Sequence, residues 1–154
     1  MRLLIMEIRK ATVKDAATIA AIIKKHYRED YMGYVTFNEA YIKDKMKKDN
    51  FFFVAVEKDI IVGCIRASIV DIDLADIRSL CVDEEYRGKG VAKQLVQEAL
   101  QILKEKKMRK IIARAKADNA NAIKVFSAAG FEQEGYFKEH YRKGIDIIQM
   151  FKFL

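Results

Sequence analysis

Proline is absent from the 154 residues, where average usage of ~5% would supply roughly seven or eight. Its absence excludes Pro-rich linkers, polyproline ligands and proline-limited folding. Only two cysteines occur, Cys64 and Cys81, in apolar strand-like stretches without C-x-x-C spacing. They read as small core hydrophobes, and no disulfide framework is expected. The histidines are His26 and His140, with no H-E-x-x-H or cysteine cluster beside them, so no metal site is expected. The first apolar run, Leu3 to Met6, falls short of the ~7 to 15 residues of a signal-peptide core. No segment approaches the ~20 apolar residues that span a bilayer. The expectation is a cytoplasmic protein with no membrane partner.

What is present is the composition of one folded domain, 1–154, with 51% hydrophobic and 33% charged residues. Lys plus Arg number 29 against 22 Asp plus Glu, a formal +7. That balance favours anionic partners without choosing among nucleic acid, an acidic surface and a phosphorylated cofactor. The basic residues are scattered in short clusters and no recognition motif accompanies them, so nucleic-acid binding is not expected.

Ile5 to Lys10 alternates like a strand, and Thr12-Val-Lys-Asp15 resembles a capping box ahead of an Ala/Ile-rich helix ending near His26. A polar, aromatic loop from Arg28 to Tyr34 precedes a weaker helical stretch, 37–48. Phe51 to Glu57 and Ile60 to Val70, separated by Lys58-Asp59, predict an antiparallel hairpin. Ala75 to Val82 is a further strand. It runs through a glycine turn into a helix with apolar face Val91, Ala92, Leu95, Val96, Ala99 and Leu103. A strand from Lys110 to Ala115 and a helix from Asn119 to Ala129, capped by Gly130, come next. Strands at Phe131 to Phe137 and Ile145 to Leu154, joined by a basic loop, close the chain. This order predicts an α+β architecture: a mixed, mostly antiparallel sheet of six to seven strands with a central βαβ unit.

The turn Arg87-Gly88-Lys89-Gly90-Val91-Ala92 suits an anion, because a helix N-terminus leaves backbone N–H groups unpaired and carries partial positive charge. Val91 after Gly90 departs from the Walker pattern G-x-x-x-x-G-K-[S/T]. Lys93 departs from the third glycine of G-x-G-x-x-G, and the preceding antiparallel strands also disfavour a dinucleotide fold. A bare connecting turn stays open on these residues alone.

The larger constellation, from about Ile61 to the C-terminus, resembles the GNAT superfamily of N-acetyltransferases. Leu80 to Ala92 is similar to that family's strand and [QR]-x-x-G-x-[GA] motif, lacking the Pro often found near Glu84. Asn119 to Phe131 is similar to its Asn, Ala-Ile, aromatic, Gly-Phe motif. Val62 to Ile65, and Ile8 to Thr12 with Asp15-Ala16, resemble its third strand and its first strand and helix start. The resemblance implies helices on both faces of the sheet and acetyl-coenzyme A (acetyl-CoA) as cofactor. Backbone N–H groups of Arg87, Gly88, Lys89, Gly90, Val91 and Ala92 would cradle its pyrophosphate. Leu80, Cys81 and Val82 would pair with the pantetheine arm, and the Asn119 amide would support that arm. Asn119 also suits a helix N-cap, and the two roles are compatible.

Acyl transfer to an amine needs the amine neutral, and a free lysine amine has a pKa of ~10.4. Asp76 is the candidate base: the histone-acetyltransferase branch of the resembled family has a glutamate at that strand start, so the shorter Asp implies a relay through water. Capping or solvating a strand end is the alternative for Asp76, and Glu29 and Asp30 are further carboxylates near the acceptor side or loop surface. The ribosomal-protein branch uses a glutamate and a tyrosine where this chain has Arg114 and Phe126, so the usual acid is missing. Tyr141 or His140, placed in the basic loop, are substitute donors or ordinary surface residues. The resulting expectation is an acetyl-CoA-dependent N-acetyltransferase working by direct attack in a ternary complex, with an oxyanion held by backbone N–H near Cys81 and Val82. Its partner is an amine-bearing acceptor, a small molecule or a protein N-terminus or lysine, and a homodimer is compatible. The alternative is a non-catalytic acyl-CoA-binding sensor of the same fold.

Overall fold

The computed structural model describes residues 6–27, 37–47 and 49–154. The loop expected at Arg28 to Tyr34, with Glu29 and Asp30, and the far end of the 37–48 stretch at Lys48 lie outside the described residues.

Strand β1 (Glu7–Lys10) leads through a 3-10 turn into helix α1 (Ala16–His26). The expected capping chemistry is present: Asp15 accepts from the Thr12 N–H at 2.8 Å and from both terminal nitrogens of Arg9 at 2.8 and 3.0 Å, tying strand to helix. Helix α2 (Glu39–Lys45) starts at Asn38, whose side chain accepts from the Tyr41 N–H. Strands β2 (Asn50–Glu57) and β3 (Ile60–Ile69) form the hairpin. Lys58 and Asp59 turn it with φ of 46° and 65°, the left-handed pair that matches the twist of two-residue hairpins.

Strand β4 (Leu74–Val82), helix α3 (Val91–Glu105) and strand β5 (Lys110–Lys116) form the central βαβ unit, and β4 and β5 are the parallel pair. Val91, Leu95, Val96, Ala99 and Leu103 are buried, as the helical spacing predicts. Helix α4 (Ala120–Ala128) and strands β6 (Glu132–Arg142) and β7 (Ile145–Phe153) complete the chain. The sheet has seven strands in the order β1-β2-β3-β4-β5-β7-β6. One core lies under α3 and includes Ile65, Ile77, Ile111 and Met150. The other lies under α1 and α2 and includes Val54, Cys64 and Cys81, so helices cover both faces.

The expected basic loop before the last strand is a correction. β6 continues to Arg142, so His140 and Tyr141 stand on a strand, and the chain reverses at Lys143 and Gly144. β6 is an edge strand whose charged, largely exposed residues read as loop in sequence, yet such residues are what protects an open sheet edge.

Candidate active site

A bulge in β4 builds the site. Cys64 pairs with Cys81, but Arg66 pairs with Arg78, so β4 carries one extra residue between these points. Ser79 absorbs it with φ of 55°, a left-handed conformation that costs a non-glycine residue roughly 1 to 3 kcal/mol. The parallel register of β4 with β5 stops at Ile77 and Ala113. Beyond that point the two strands form no ladder, and a wedge opens in the sheet.

Two clefts meet at this wedge. One, of about 540 Å³, is bordered by Leu80, Cys81 and Val82 of β4, by the glycine turn with Val91 and Ala92, and by α4. The other, of about 920 Å³, is bordered by Asp76, Arg78 and Leu80 of β4, by Arg114 of β5, and by Tyr41, Phe126 and Tyr141. Both touch His26, Leu80, Asn119 and Ala122.

At the mouth of the smaller cleft, Gly88 and Gly90 have φ of 75° and 80°, and a Cβ on either would meet no atom within 4 Å. No side chain caps α3. Backbone N–H groups from Gly88 to Lys93 have no acceptor among the described residues, so the turn is an open cup of donors on a helix N-terminus. The Arg87 N–H instead donates to the Glu84 carbonyl at 3.2 Å, so the cup begins at Gly88. The Arg87 side chain donates to the Val82 carbonyl at 3.2 Å and lies 3.1 Å from His26 Nδ1, and Lys89 sits over the Tyr86 ring. Arg87, Lys93 and Lys124 border the cleft, and Lys89 does not.

Asn119 caps α4 through its side-chain oxygen, which accepts from the Ala122 N–H at 3.1 Å, and it borders both clefts. Asp76 is 6% exposed. Its Oδ2 accepts from Arg78 Nε at 2.7 Å and lies 2.6 Å from Nη2, while its Oδ1 is buried without a hydrogen-bond partner. An orphaned buried acceptor costs about 1 to 3 kcal/mol, and this one belongs to a residue bordering the larger cleft. Asp76 is thus a buried, ion-paired group, and it is not a solvated strand end.

Phe126 is 4% exposed and packs edge-on against Phe131. Tyr141 borders the larger cleft and accepts a hydrogen bond from Arg114 Nη1 at 2.8 Å. His140 is exposed, stacked between Phe137 and Tyr141, and borders neither cleft. His26, not singled out in the sequence, lies where the clefts meet. Arg87 faces its Nδ1, and Asp83 lies 3.6 Å from its Nε2, just beyond hydrogen-bond range. Burial, then the Arg87 charge, hold its pKa below the ordinary value despite Asp83. The Cys81 thiol is pushed well above its ordinary value by hydrogen bonding with Cys64 and by burial. It is a poor nucleophile, since the thiolate is the reactive form. No group of three or more potential metal ligands occurs among the described residues, and no helix among them is long and apolar enough to cross a membrane.

Comparison with known proteins gives the class of the chain. The model of the Acetyltransferase (GNAT) family matches residues 17–131, well over half of the chain. An uncharacterized N-acetyltransferase of Chlorobaculum tepidum is 34% identical over 98 residues, covering 64% of this chain and 60% of that protein. N-alpha-acetyltransferase 30 of Schizosaccharomyces pombe is 27% identical over 133 residues, covering 83% and 85%. Among solved structures, yncA of Salmonella typhimurium, determined with its cofactor acetyl-CoA, superposes with a TM-score of 0.84 at 17% identity, covering 97% of this chain and 94% of that one. At that identity the likeness is one of fold. The chain belongs to the GNAT family of N-acetyltransferases, whose cofactor is acetyl-CoA.

Proposed function

We propose that the chain transfers an acetyl group from acetyl-CoA to a primary amine by direct attack, with both reactants bound at once. The observation that carries this reading is the wedge itself: it joins a cup of unpaired N–H groups at Gly88 to Lys93 to a second cleft that borders the buried carboxylate of Asp76. Acetyl-CoA supplies the acyl group as a reactive thioester. The cup suits its pyrophosphate by open space and donor count, and the β4 backbone at Leu80, Cys81 and Val82 suits an extended arm laid along a strand edge. Asn119, with Oδ1 spent on the helix cap, keeps its amide nitrogen for the same arm.

On the acceptor side, Asp76 Oδ1 is the base or hydrogen-bond acceptor for the amine. Backbone N–H groups near Cys81 and Val82 are donors for the carbonyl oxygen. Phe126 provides no acid, and Tyr141, the surviving candidate donor, bonds Arg114. Positioning two reactants can contribute ~7 to 11 kcal/mol, against ~10² to 10⁴ in rate for a general acid, so loss of the acid is tolerable. Burial and hydrogen bonding with Cys64, which raise the Cys81 thiol pKa and so disfavour the thiolate, support direct transfer over an acyl-enzyme.

Calorimetry with acetyl-CoA, followed by thiol release with an amine panel and mass spectrometry of the protein, tests the reading. Micromolar binding, amine-dependent thiol release and no acetylated Cys81 are expected. Tight binding without amine-dependent thiol would favour a sensor of acyl-CoA, and no binding would remove the cofactor site.

A further inference from the structure

The larger cleft has an unusual charge arrangement for a site that receives an ammonium. Among the described residues bordering it, Arg66, Arg78, Arg114, Lys116 and Arg142 face only two carboxylates, Asp76 and Asp118. Arg66 on β3 pairs in register with Arg78 on β4, and like charges directly opposite one another are destabilising. Arg78 is ion-paired with Asp76, whereas Arg66 has no ion pair among the described residues and sits over the Phe52 ring. It is 9% exposed, and it donates to the neutral side chain of Asn50 at 3.0 and 2.7 Å. Arg114 likewise bonds neutral groups, Gln149 at 2.9 Å and Tyr141 at 2.8 Å. No carboxylate oxygen lies within 4.0 Å of either guanidinium among the described residues.

A buried cation without a counter-ion is costly, and neutral acceptors satisfy its hydrogen bonds while leaving its charge unbalanced. Burial, with Arg78 adding to it, accordingly weakens the hold of Arg66 on its proton, against Tyr41 and Asp76. Asp76, which borders the same cleft, has one buried acceptor oxygen, Oδ1, with no partner. A guest completing both deficits carries an amine and an oxyanion on one small skeleton.

We propose that the acceptor is a small primary amine bearing its own oxyanion, a carboxylate or a phosphorus oxyanion, with the amine at Asp76 and the oxyanion at Arg66. Arg114 and Arg142 extend the positive field that draws it in. A polyamine, with charge of one sign only, meets repulsion in the same cleft. This inference rests on the transferase reading above and narrows its acceptor.

The test is thiol release from acetyl-CoA by the full chain with glutamate, aspartate and aminomethylphosphonate, each beside a counterpart that lacks the oxyanion (the amino-acid diamides and methylamine), together with spermidine and an N-terminal peptide without acidic side chains and with an amidated C-terminus. A hydrogen bond to a charged group corresponds to a loss of about ten- to a hundredfold when its partner is removed. The acids are therefore expected to exceed the counterparts that lack the oxyanion in kcat/KM by at least about tenfold. Carboxylate and phosphonate arms separate the two oxyanion sources. Arg66→Gln, which keeps amide donors, should raise KM for the acid about tenfold and erase the preference for acid over amide, a ratio that general loss of folded enzyme does not move. Arg114→Gln, on an exposed side chain, provides a second variant that should shrink the same ratio less. Equal or better turnover with spermidine, the amides or the peptide overturns the proposal, as does no turnover with any acid while calorimetry shows acetyl-CoA bound. Absence of acetyl-CoA binding overturns the transferase reading instead.

Discussion

Gly63 on β3 lies so close to β4 that a Cβ added to it would stand 2.9 Å from the carbonyl oxygen of Cys81. Backbone cannot yield as a flexible side chain would, so Gly63→Ala must push β4 outward at the segment assigned to the pantetheine arm. Overpacking of this kind costs about 1 to 3 kcal/mol. We expect a lower urea midpoint and weaker acetyl-CoA binding together, measured by denaturation and calorimetry. A variant with lowered stability and unaltered affinity would remove β4 from the cofactor site.

The glycine turn separates space from conformation. Gly90→Ala meets no neighbour, so only its left-handed φ is penalised, by roughly 1 to 2 kcal/mol. Gly90→Glu adds bulk and negative charge at the open N–H cup, and acetyl-CoA affinity should fall by about a hundredfold or more. Comparable affinities for the two variants would contradict the placement of the pyrophosphate.

For Asp76, the neutral isostere Asp76→Asn should reduce amine-dependent kcat/KM near neutral pH by ~10² or more, with acetyl-CoA affinity nearly unchanged. Rates that match the parent across the pH range would take Asp76 off the reaction path.

His26 supplies a pH dependence. Its folded pKa lies below the ordinary 6.5, so the unfolded chain binds the proton more readily. Stability from this group is complete above 6.5 and is lost as pH falls through the depressed folded value. Urea midpoints should drop between about pH 7 and pH 5, and His26→Gln should flatten that part of the profile. An unchanged slope in the variant would assign the acid sensitivity to other groups.

Local chemistry explains what could be read without coordinates. The α3 face, the Lys58-Asp59 turn and the Gly130 cap each depend on residues within one or two turns of each other. Gly130, at φ 92°, occupies the left-handed position its identity suggests. The bulge at Ser79 was hidden, because serine has no special preference for positive φ and the conformation is imposed by β3 on its flank. The Arg66, Asn50 and Ser68 contacts were equally hidden: Ser68 donates to Asn50 at 2.7 Å across 18 positions of sequence, and only the hairpin register brings them together. His140 and Tyr141 read as loop in sequence because an exposed edge strand and a charged loop share a composition.

Where β4 parts from β5, the molecule is two half-sheets fastened by the short parallel ladder from Leu74 with Lys110 to Ile77 with Ala113. A slender guest seated in that gap bridges both halves in the native fold and has nothing to grip in an unfolded chain. Occupancy therefore acts as a mechanical brace, and the melting temperature should climb with the logarithm of guest concentration.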